Sequence, residues 1–436
     1  MTSITYPPIT SSRILNQLTA SLLLYQSIFE NEIGEAFLSL LQTLHNTDEA
    51  RFNASVVCIQ SYGKWFKALA SHQKSWQDYL MREILLNDNP FSHQVQHQEV
   101  KNLSPSLIIA VKQDLQILQS IYYCTPQQIG NWVKIASQMQ IPLISWELDI
   151  TTTSFLNDYP YWEDSLEDLA THYRQNGTGI MAKYQALKWD NGKLEGIKHP
   201  DTVQLSEIVG YEAQKQALIQ NTEFLLAGYN ALHVLLYGSR GSGKSSLVKS
   251  LLQKFAPQGL RLIEVSQSQL QDLPVILEKL RNLPQKFVIF VDDLSFEEDN
   301  EGFRQLKVIL EGRITAKAQN VVVYATSNRR HLVKELFSDR PVNDSEEIHL
   351  WDTVQEKLSF SDRFGLTLTF EAANQKTYLE IVHHLAKNAK INLDQDTLEF
   401  RAKQWATQHN GRSGRTAKQF IDFLQAEIAL SRHVTD

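Results

Sequence analysis

Gly238-Ser239-Arg240-Gly241-Ser242-Gly243-Lys244-Ser245 follows the apolar stretch Leu232 to Tyr237 and precedes the helix-like Leu247 to Phe255. Glycines at that spacing let the backbone curl until several N–H groups aim at one cluster of phosphate oxygens. The strand-loop-helix setting therefore predicts a nucleoside-triphosphate cradle. Lys244 is placed to reach the β- and γ-phosphates and the Ser245 hydroxyl to ligate Mg²⁺, with Ser246 and the upstream Val209 as further nucleotide contacts. Downstream, Phe287-Val288-Ile289-Phe290-Val291 runs into Asp292 and Asp293. The first acid suits the metal's water shell and the second suits polarisation of an attacking water. The short side chain of Asp293 leaves the identity of the base open, with Glu297 and Glu298 in reserve. A second apolar run, Val321 to Ala325, ends in Thr326-Ser327-Asn328, and its asparagine is placed to hold the lytic water or the γ-phosphate.

Two arginines complete the set. Arg363, in Ser361-Asp362-Arg363-Phe364-Gly365, is a charge donor of the kind that enters a neighbouring subunit's nucleotide site. Arg415, in Gly411-Arg412-Ser413-Gly414-Arg415, opens the last helix, where a cation opposes the helix dipole unless an anion lies nearby. That placement suggests a γ-phosphate sensor.

The elements that must carry these residues can be read from periodicity. Residues 1–150 place apolar side chains at three- and four-residue spacing, as in Phe37, Leu40, Leu41 and Leu44, or Trp65, Leu69, Trp76 and Leu80, which predicts an all-helical N-terminal domain. Its aromatic residues fit a core at that spacing, and its role, structural or partner-recruiting, is not written in the pattern. Residues 151–205 read as a linker with a hairpin around Asp190-Asn191-Gly192. From 206 to 370, strand-like runs (Leu232 to Tyr237, Leu260 to Val265, Phe287 to Val291, Val321 to Ala325, Leu366 to Phe370) alternate with helical ones, which predicts an α/β core with a parallel sheet covered on both faces. Residues 371–436 are helical throughout and form a lid. The polar, acidic stretch Ser338 to Glu356 reads as an exposed insertion.

The chain has 436 residues, 42% of them hydrophobic, and a formal charge of −7, so it carries no general attraction for nucleic acid or an anionic membrane. Cys58 and Cys124 have no metal-ligand spacing and fit buried thiols in a reducing compartment. No run approaches 18 apolar residues and no charged leader precedes an apolar stretch, so a cytoplasmic protein without a membrane span is expected.

The order of phosphate loop, Asp-Asp strand, Ala-Thr-Ser-Asn strand, Arg-Phe-Gly and Gly-Arg-Ser-Gly-Arg resembles that of AAA+ ATPases. More closely, Asp292-Asp293-Leu294-Ser295-Phe296-Glu297, Leu310-Glu311-Gly312, Tyr324 to Leu332, Ser361 to Gly365 and the closing Gly-Arg-Ser-Gly-Arg look like a bacterial family catalogued as domain of unknown function 815. The resemblance spans Gly177 to Leu430, with a weaker echo at Asn89-Pro90-Phe91-Ser92. It implies a sensor strand between the phosphate-loop strand and the Asp-Asp strand, ATP with Mg²⁺, and a nucleotide-dependent homo-oligomer, ring or ring-like. In that pattern Asp292 takes the metal role, Asn328 is sensor one, Arg363 the intersubunit arginine and Arg415 sensor two. The family has no settled client, so a protein partner of unknown kind is expected. Ser266-Gln267-Ser268-Gln269 lacks the aromatic-apolar-glycine loop of threading unfoldases. A nucleic-acid role, prompted by Arg329-Arg330-His331, is the less favoured alternative.

Overall fold

The computed structural model describes residues 11–46, 52–150, 154–295, 301–311, 318–328, 363–409 and 411–433. Contacts divide the chain into two compact units, Met1–Lys183 and Tyr184–Asp436.

The first unit is helical. Helices Glu32–Asn46, Phe52–His72, Trp76–Leu85 and Pro105–Tyr123 surround a single core. Phe37 lies 5.8 Å from Trp65 and 4.3 Å from Trp76, and the two indoles meet edge to face at 5.4 Å. The spaced aromatic residues are thus core, as their helical period requires. Several helix starts are written plainly in the sequence: Ser75, Ser104 and Thr125 each accept a backbone N–H three residues on, and Asn89 with Ser92 forms a reciprocal capping box ahead of Pro90. The helix Pro126–Ser137 stops where Gln138 adopts a left-handed φ of 56°, and residues 139–150 carry no regular element. Helix Leu166–Asn176 follows, and Trp162, Leu169 and Tyr173 join the same core.

The second unit holds a seven-stranded sheet. Its strands in chain order are β1 (Ala186–Asp190), β2 (Lys193–Gly196), β3 (Val234–Gly238), β4 (Leu260–Glu264), β5 (Lys286–Val291), β6 (Val321–Ser327) and β7 (Leu366–Phe370). Their spatial order is β2-β1-β4-β5-β6-β3-β7. All pairings are parallel except β1 with β2. The sensor strand β6 lies between the phosphate-loop strand β3 and the acid strand β5, as the resemblance implies. The five expected strands fall within two residues of their sequence-based limits. Their buried apolar runs, such as Val234 to Leu236 and Phe287 to Val291, are what a sheet covered on both faces demands.

The hairpin around Asn191-Gly192 is itself part of this sheet. β1 pairs with β4 from Ala186↔Leu262 to Lys188↔Glu264. Trp189 Nε1 donates to Asp272 Oδ2 at 2.8 Å, and the Lys279 ammonium sits over the Trp189 ring. After β7, helices Gln375–Asn388, Gln395–Gln408 and Gly414–His433 pack around their own small core of Tyr378, Val382, Ala402 and Leu424. Among the described residues, no helix is long and apolar enough to cross a membrane.

Candidate functional site

At the C-terminal end of β3, Gly238 has φ 140°, and a Cβ there would stand 1.9 Å from the carbonyl oxygen of Phe370. Only glycine permits the strand to turn so close to β7. Ser239 N–H then donates to Phe370 O at 3.0 Å, which pins the start of the loop to the end of the last strand. Gly241 and Gly243 have φ 73° and 88°, and helix Lys244–Phe255 begins directly behind them. The orphan N–H groups of that helix start face the loop's concavity, the arrangement that favours an anion.

Lys244 is almost fully buried. Its ammonium donates to Ser239 O at 2.7 Å and Gly238 O at 3.0 Å, with Ser242 Oγ at 3.5 Å and Asn328 Oδ1 at 3.4 Å. Burial pushes its pKa down, and the nearby Asp292 and Asp293 carboxylates pull it back up.

The acids are held from three sides. Ser245 Oγ donates to Asp292 Oδ1 at 2.6 Å, and Thr326 Oγ1 donates to the same oxygen at 2.5 Å. Thr326 Oγ1 also accepts the Asp293 N–H at 2.9 Å. Asp293 has a left-handed backbone, φ 52°, and its Oδ1 accepts Asn328 Nδ2 at 2.6 Å. Asn328 thereby touches both Lys244 and Asp293 through opposite ends of one amide. A non-glycine residue at positive φ costs about 1–3 kcal/mol and persists where its surroundings over-determine it.

The cavity enclosed by these groups measures about 600 Å³. One side is the loop from Arg240 to Ser246, and the floor is Asp292, Asp293, Thr326 and Asn328. Val203, Ile208 and Val209, with Ile381 and Leu385 of the helix Gln375–Asn388, supply its apolar lining. Such a volume, half polar cradle and half apolar slot, suits a nucleotide.

The lid also touches the loop directly. Arg415 N–H points at Gly241 O at 3.4 Å, and a Cβ on Gly241 would come within 2.8 Å of Ser413 Oγ. Ser413 Oγ accepts the Thr416 N–H at 3.1 Å at the start of helix Gly414–His433, and Arg415 and Lys418 line the cavity from that helix. Two cations near its start face a site built for anions.

The structure therefore brings Arg240, Gly241, Ser242, Gly243, Lys244, Ser245, Ser246, Val209, Asp292, Asp293, Asn328 and Arg415 to one cavity, while Gly238 and Ser239 act through their carbonyls on Lys244. Arg363 is placed elsewhere. It precedes β7, whose residues Leu366 to Phe370 run alongside Val234 to Gly238. At about 3.3 Å per residue, β7 spans about 13 Å from Leu366 to Phe370, and Arg363 before it is not among the residues that line the cavity. Glu297, Glu298, Arg329, Arg330 and the insertion Ser338 to Glu356 lie outside the described residues. Sequence reasoning gave Thr326 no role. The one available signal was a hydroxyl residue two places before Asn328 at the end of a buried strand.

Magnesium prefers oxygen ligands and keeps several of its waters. Ser245 Oγ and Asp292 Oδ1 are both hard oxygens, 2.6 Å apart at the mouth of the cradle. Among the described residues, no group of three or more His, Cys, Asp or Glu could hold a metal alone. The donor set fits an ion shared with a polyphosphate better than one caged by protein.

A family described as "Protein of unknown function (DUF815)" matches residues 182–428. Solved structures similar to the chain include Thermotoga maritima RuvB, titled a Holliday junction branch migration motor, at 16% identity and a TM-score of 0.31, covering 51% of this chain and 72% of RuvB. One point mutant of the same Thermotoga maritima protein gives 16% and 0.33, and another gives 17% and 0.32, over the same shares. No curated protein matches the chain.

Proposed function

The chain belongs to the DUF815 family of proteins of unknown function, and we propose that it is a Mg²⁺-dependent ATPase that works between adjacent subunits of a homo-oligomer to remodel or assemble a protein partner. The observation that carries this reading is the convergence on one cavity of Lys244, the Ser245–Asp292 pair and the Asn328–Asp293 pair. Each residue type matches one demand of phosphoryl transfer, which is mostly a matter of positioning and charge stabilisation.

In this reading Ser245 and Asp292 hold Mg²⁺, which neutralises charge on the β- and γ-phosphates when bound. The loop's N–H groups and the start of helix Lys244–Phe255 bind the phosphate tail. Lys244 exchanges its bonds to Gly238 O and Ser239 O for phosphate oxygens. Asp293 orients and deprotonates the attacking water, and Asn328 keeps that carboxylate aimed while sensing the γ-phosphate. Arg415 supplies positive charge from the lid. Arg363 does not line its own cavity, and in this reading its charge serves a neighbouring copy.

Steady-state phosphate release tests this directly. Wild-type protein should turn over ATP, Lys244→Ala should not, and Arg363→Ala should lose about 10³-fold, the lower end of what an arginine finger contributes. Equal low rates in all three would defeat the hydrolysis reading. A loss with Lys244→Ala alone would defeat only the intersubunit role.

The bond from Asn328 to Asp293 favours one alternative, a nucleotide-loaded switch that hardly turns over, because a carboxylate held by an amide is less available to water. Tight ATP binding with turnover unchanged in Asp293→Asn would select it.

A further inference from the structure

We infer that Thr326 is a positioning residue for both acids of the site, its single hydroxyl setting the Asp292 carboxylate and the Asp293 backbone in one registered unit. The inference rests on the ATP and Mg²⁺ binding proposed above, and on hydrolysis for its turnover arm only. Thr326 is 2% exposed and lies on β6, in register with Leu236 of the phosphate-loop strand. On the other side of β6, its neighbour Ala325 is in register with Val291, the last residue before the acids. Thr326 therefore lies on the strand between the two that carry the cradle and the acids.

Its hydrogen bonding has one solution. The hydroxyl has one proton, and the Asp292 carboxylate can only accept, so the proton goes to Asp292 Oδ1 at 2.5 Å. A lone pair is left for the Asp293 N–H at 2.9 Å. The same Asp292 oxygen receives Ser245 Oγ, so Thr326 fixes which oxygen faces the proposed metal ligand. The β-branched side chain is stiff at χ1, which makes it a firm strut.

The backbone bond matters because Asp293 is held at φ 52°. The turn is clamped further by Leu294 N–H to Thr326 O at 2.7 Å and by Ser327 Oγ to Leu294 O at 2.8 Å. Of these bonds, only those of the Thr326 hydroxyl reach the two acids. Without it, Asp292 loses a donor, a half-buried N–H loses its acceptor, and Asp293 is free to relax toward negative φ and carry its carboxylate off Asn328.

The test compares Thr326→Val, which keeps the shape and removes the hydroxyl, with Thr326→Ser, which keeps the hydroxyl. ATP binding is titrated in EDTA and across Mg²⁺ concentrations, with steady-state kcat and KM measured alongside. Thr326→Val should bind ATP in EDTA like the wild type, need about 10-fold more Mg²⁺ for tight binding, and lose about 10- to 100-fold in kcat with little change in KM, the range expected for one hydrogen bond to a charged group. Thr326→Ser should restore the Mg²⁺ requirement. Tyr324→Phe, which removes a different buried hydroxyl from β6, should leave it unmoved.

A wild-type Mg²⁺ requirement in Thr326→Val overturns the inference, as does an equal shift in Tyr324→Phe. If Thr326→Val does not fold, Thr326→Ala carries the same comparison. If the wild type shows no Lys244-dependent turnover, the ATPase reading fails by itself, and the Mg²⁺ dependence of ATP binding still decides the role of Thr326.

Discussion

The two units spend their buried polar groups in opposite ways. In the helical unit the fully buried Asp114 carboxylate accepts the N–H groups of Leu23, Leu24 and Tyr25 at 2.7–3.1 Å and holds the turn after the first helix. Tyr25 and Tyr173 join through their hydroxyls at 3.1 Å, and Tyr173 donates to Ile84 O. Every partner in this network is internal. In the second unit the buried Lys244 and the acids Asp292 and Asp293 converge on a cavity, and Lys244 spends its donors on loop carbonyls that a phosphate can replace. A buried charge with three short backbone bonds is structure. A buried charge at the wall of a cavity, with bonds that a ligand can match, is a candidate for chemistry.

The largest effect should come from the second kind. Lys244→Ala is expected to bring turnover to background, a larger loss than the about 10³-fold expected for Arg363→Ala. Its melting temperature should hold or rise, because a desolvated ammonium is removed. Phosphate release and thermal unfolding of the same sample check both. A collapse in stability would move Lys244 into the structural class.

Asp114→Ala should do the reverse. The buried Tyr25 N–H and the part-buried N–H groups of Leu23 and Leu24 would lose their acceptor, and at about 1–3 kcal/mol for an unsatisfied buried group the helical unit should lose about 2 kcal/mol or more. Chemical denaturation followed by tryptophan fluorescence reads that loss, while ATP affinity of the folded protein should stay unchanged.

Tyr324→Phe sharpens the contrast inside the second unit. The Tyr324 hydroxyl meets Asn221 Nδ2 and Thr222 Oγ1, both at 3.0 Å, and lines no part of the cavity that holds Lys244 and the acids. The expected cost is about 1–2 kcal/mol of stability with turnover intact. A change in kcat would show that the strand's structural and chemical hydroxyls are coupled.

The smallest expected effect is in the response to acid. His172 is kept neutral: burial lowers its pKa from 6.5, Nε2 faces Leu85 O at 3.2 Å and Nδ1 faces Asn176 Nδ2 at 3.3 Å. As pH falls below 6.5 the unfolded chain takes up this proton before the folded one does, so the helical unit loses stability from there downward. In the lid, donors from Gln395, His383 and Lys403 hold Glu399 down at about 2. Its contribution is complete above the ordinary glutamate value of about 4.3 and fades as pH falls toward about 2. Unfolding monitored between about pH 7 and about pH 3 should therefore affect the helical unit first, and His172→Gln should remove part of that difference.

Much of the second unit was legible because its signals are local. Val321 to Ala325 is an uninterrupted apolar run, and the loop from Gly238 to Ser245 announces its own backbone geometry. Asp292, Asn328 and Arg415 could be placed because each stands at the end of a readable element. What escaped was set by distant partners. β1 pairs with β4 across a long stretch of chain, and nothing near Ala186 records that a parallel neighbour waits at Leu262. Thr326 escaped for a related reason: its importance lies in meeting Asp292 and Asp293 from another strand, and a threonine at a strand end is ordinary by itself. In the helical unit, helix Leu166–Asn176 falls within the stretch read as linker, and its attachment to the same core as Phe37 and Trp76 rests on contacts between residues far apart in sequence.

The hairpin Ala186 to Gly196 decides where the protein can be cut. A fragment beginning at residue 206 would strip the outer flank of β4 and leave the backbone of Leu262, Ile263 and Glu264 open to water, a template for clumping between molecules. A fragment beginning at Tyr184 keeps that flank sealed and retains the Tyr184 ring packed over Gly196, so it should be the shortest well-behaved form of the second unit.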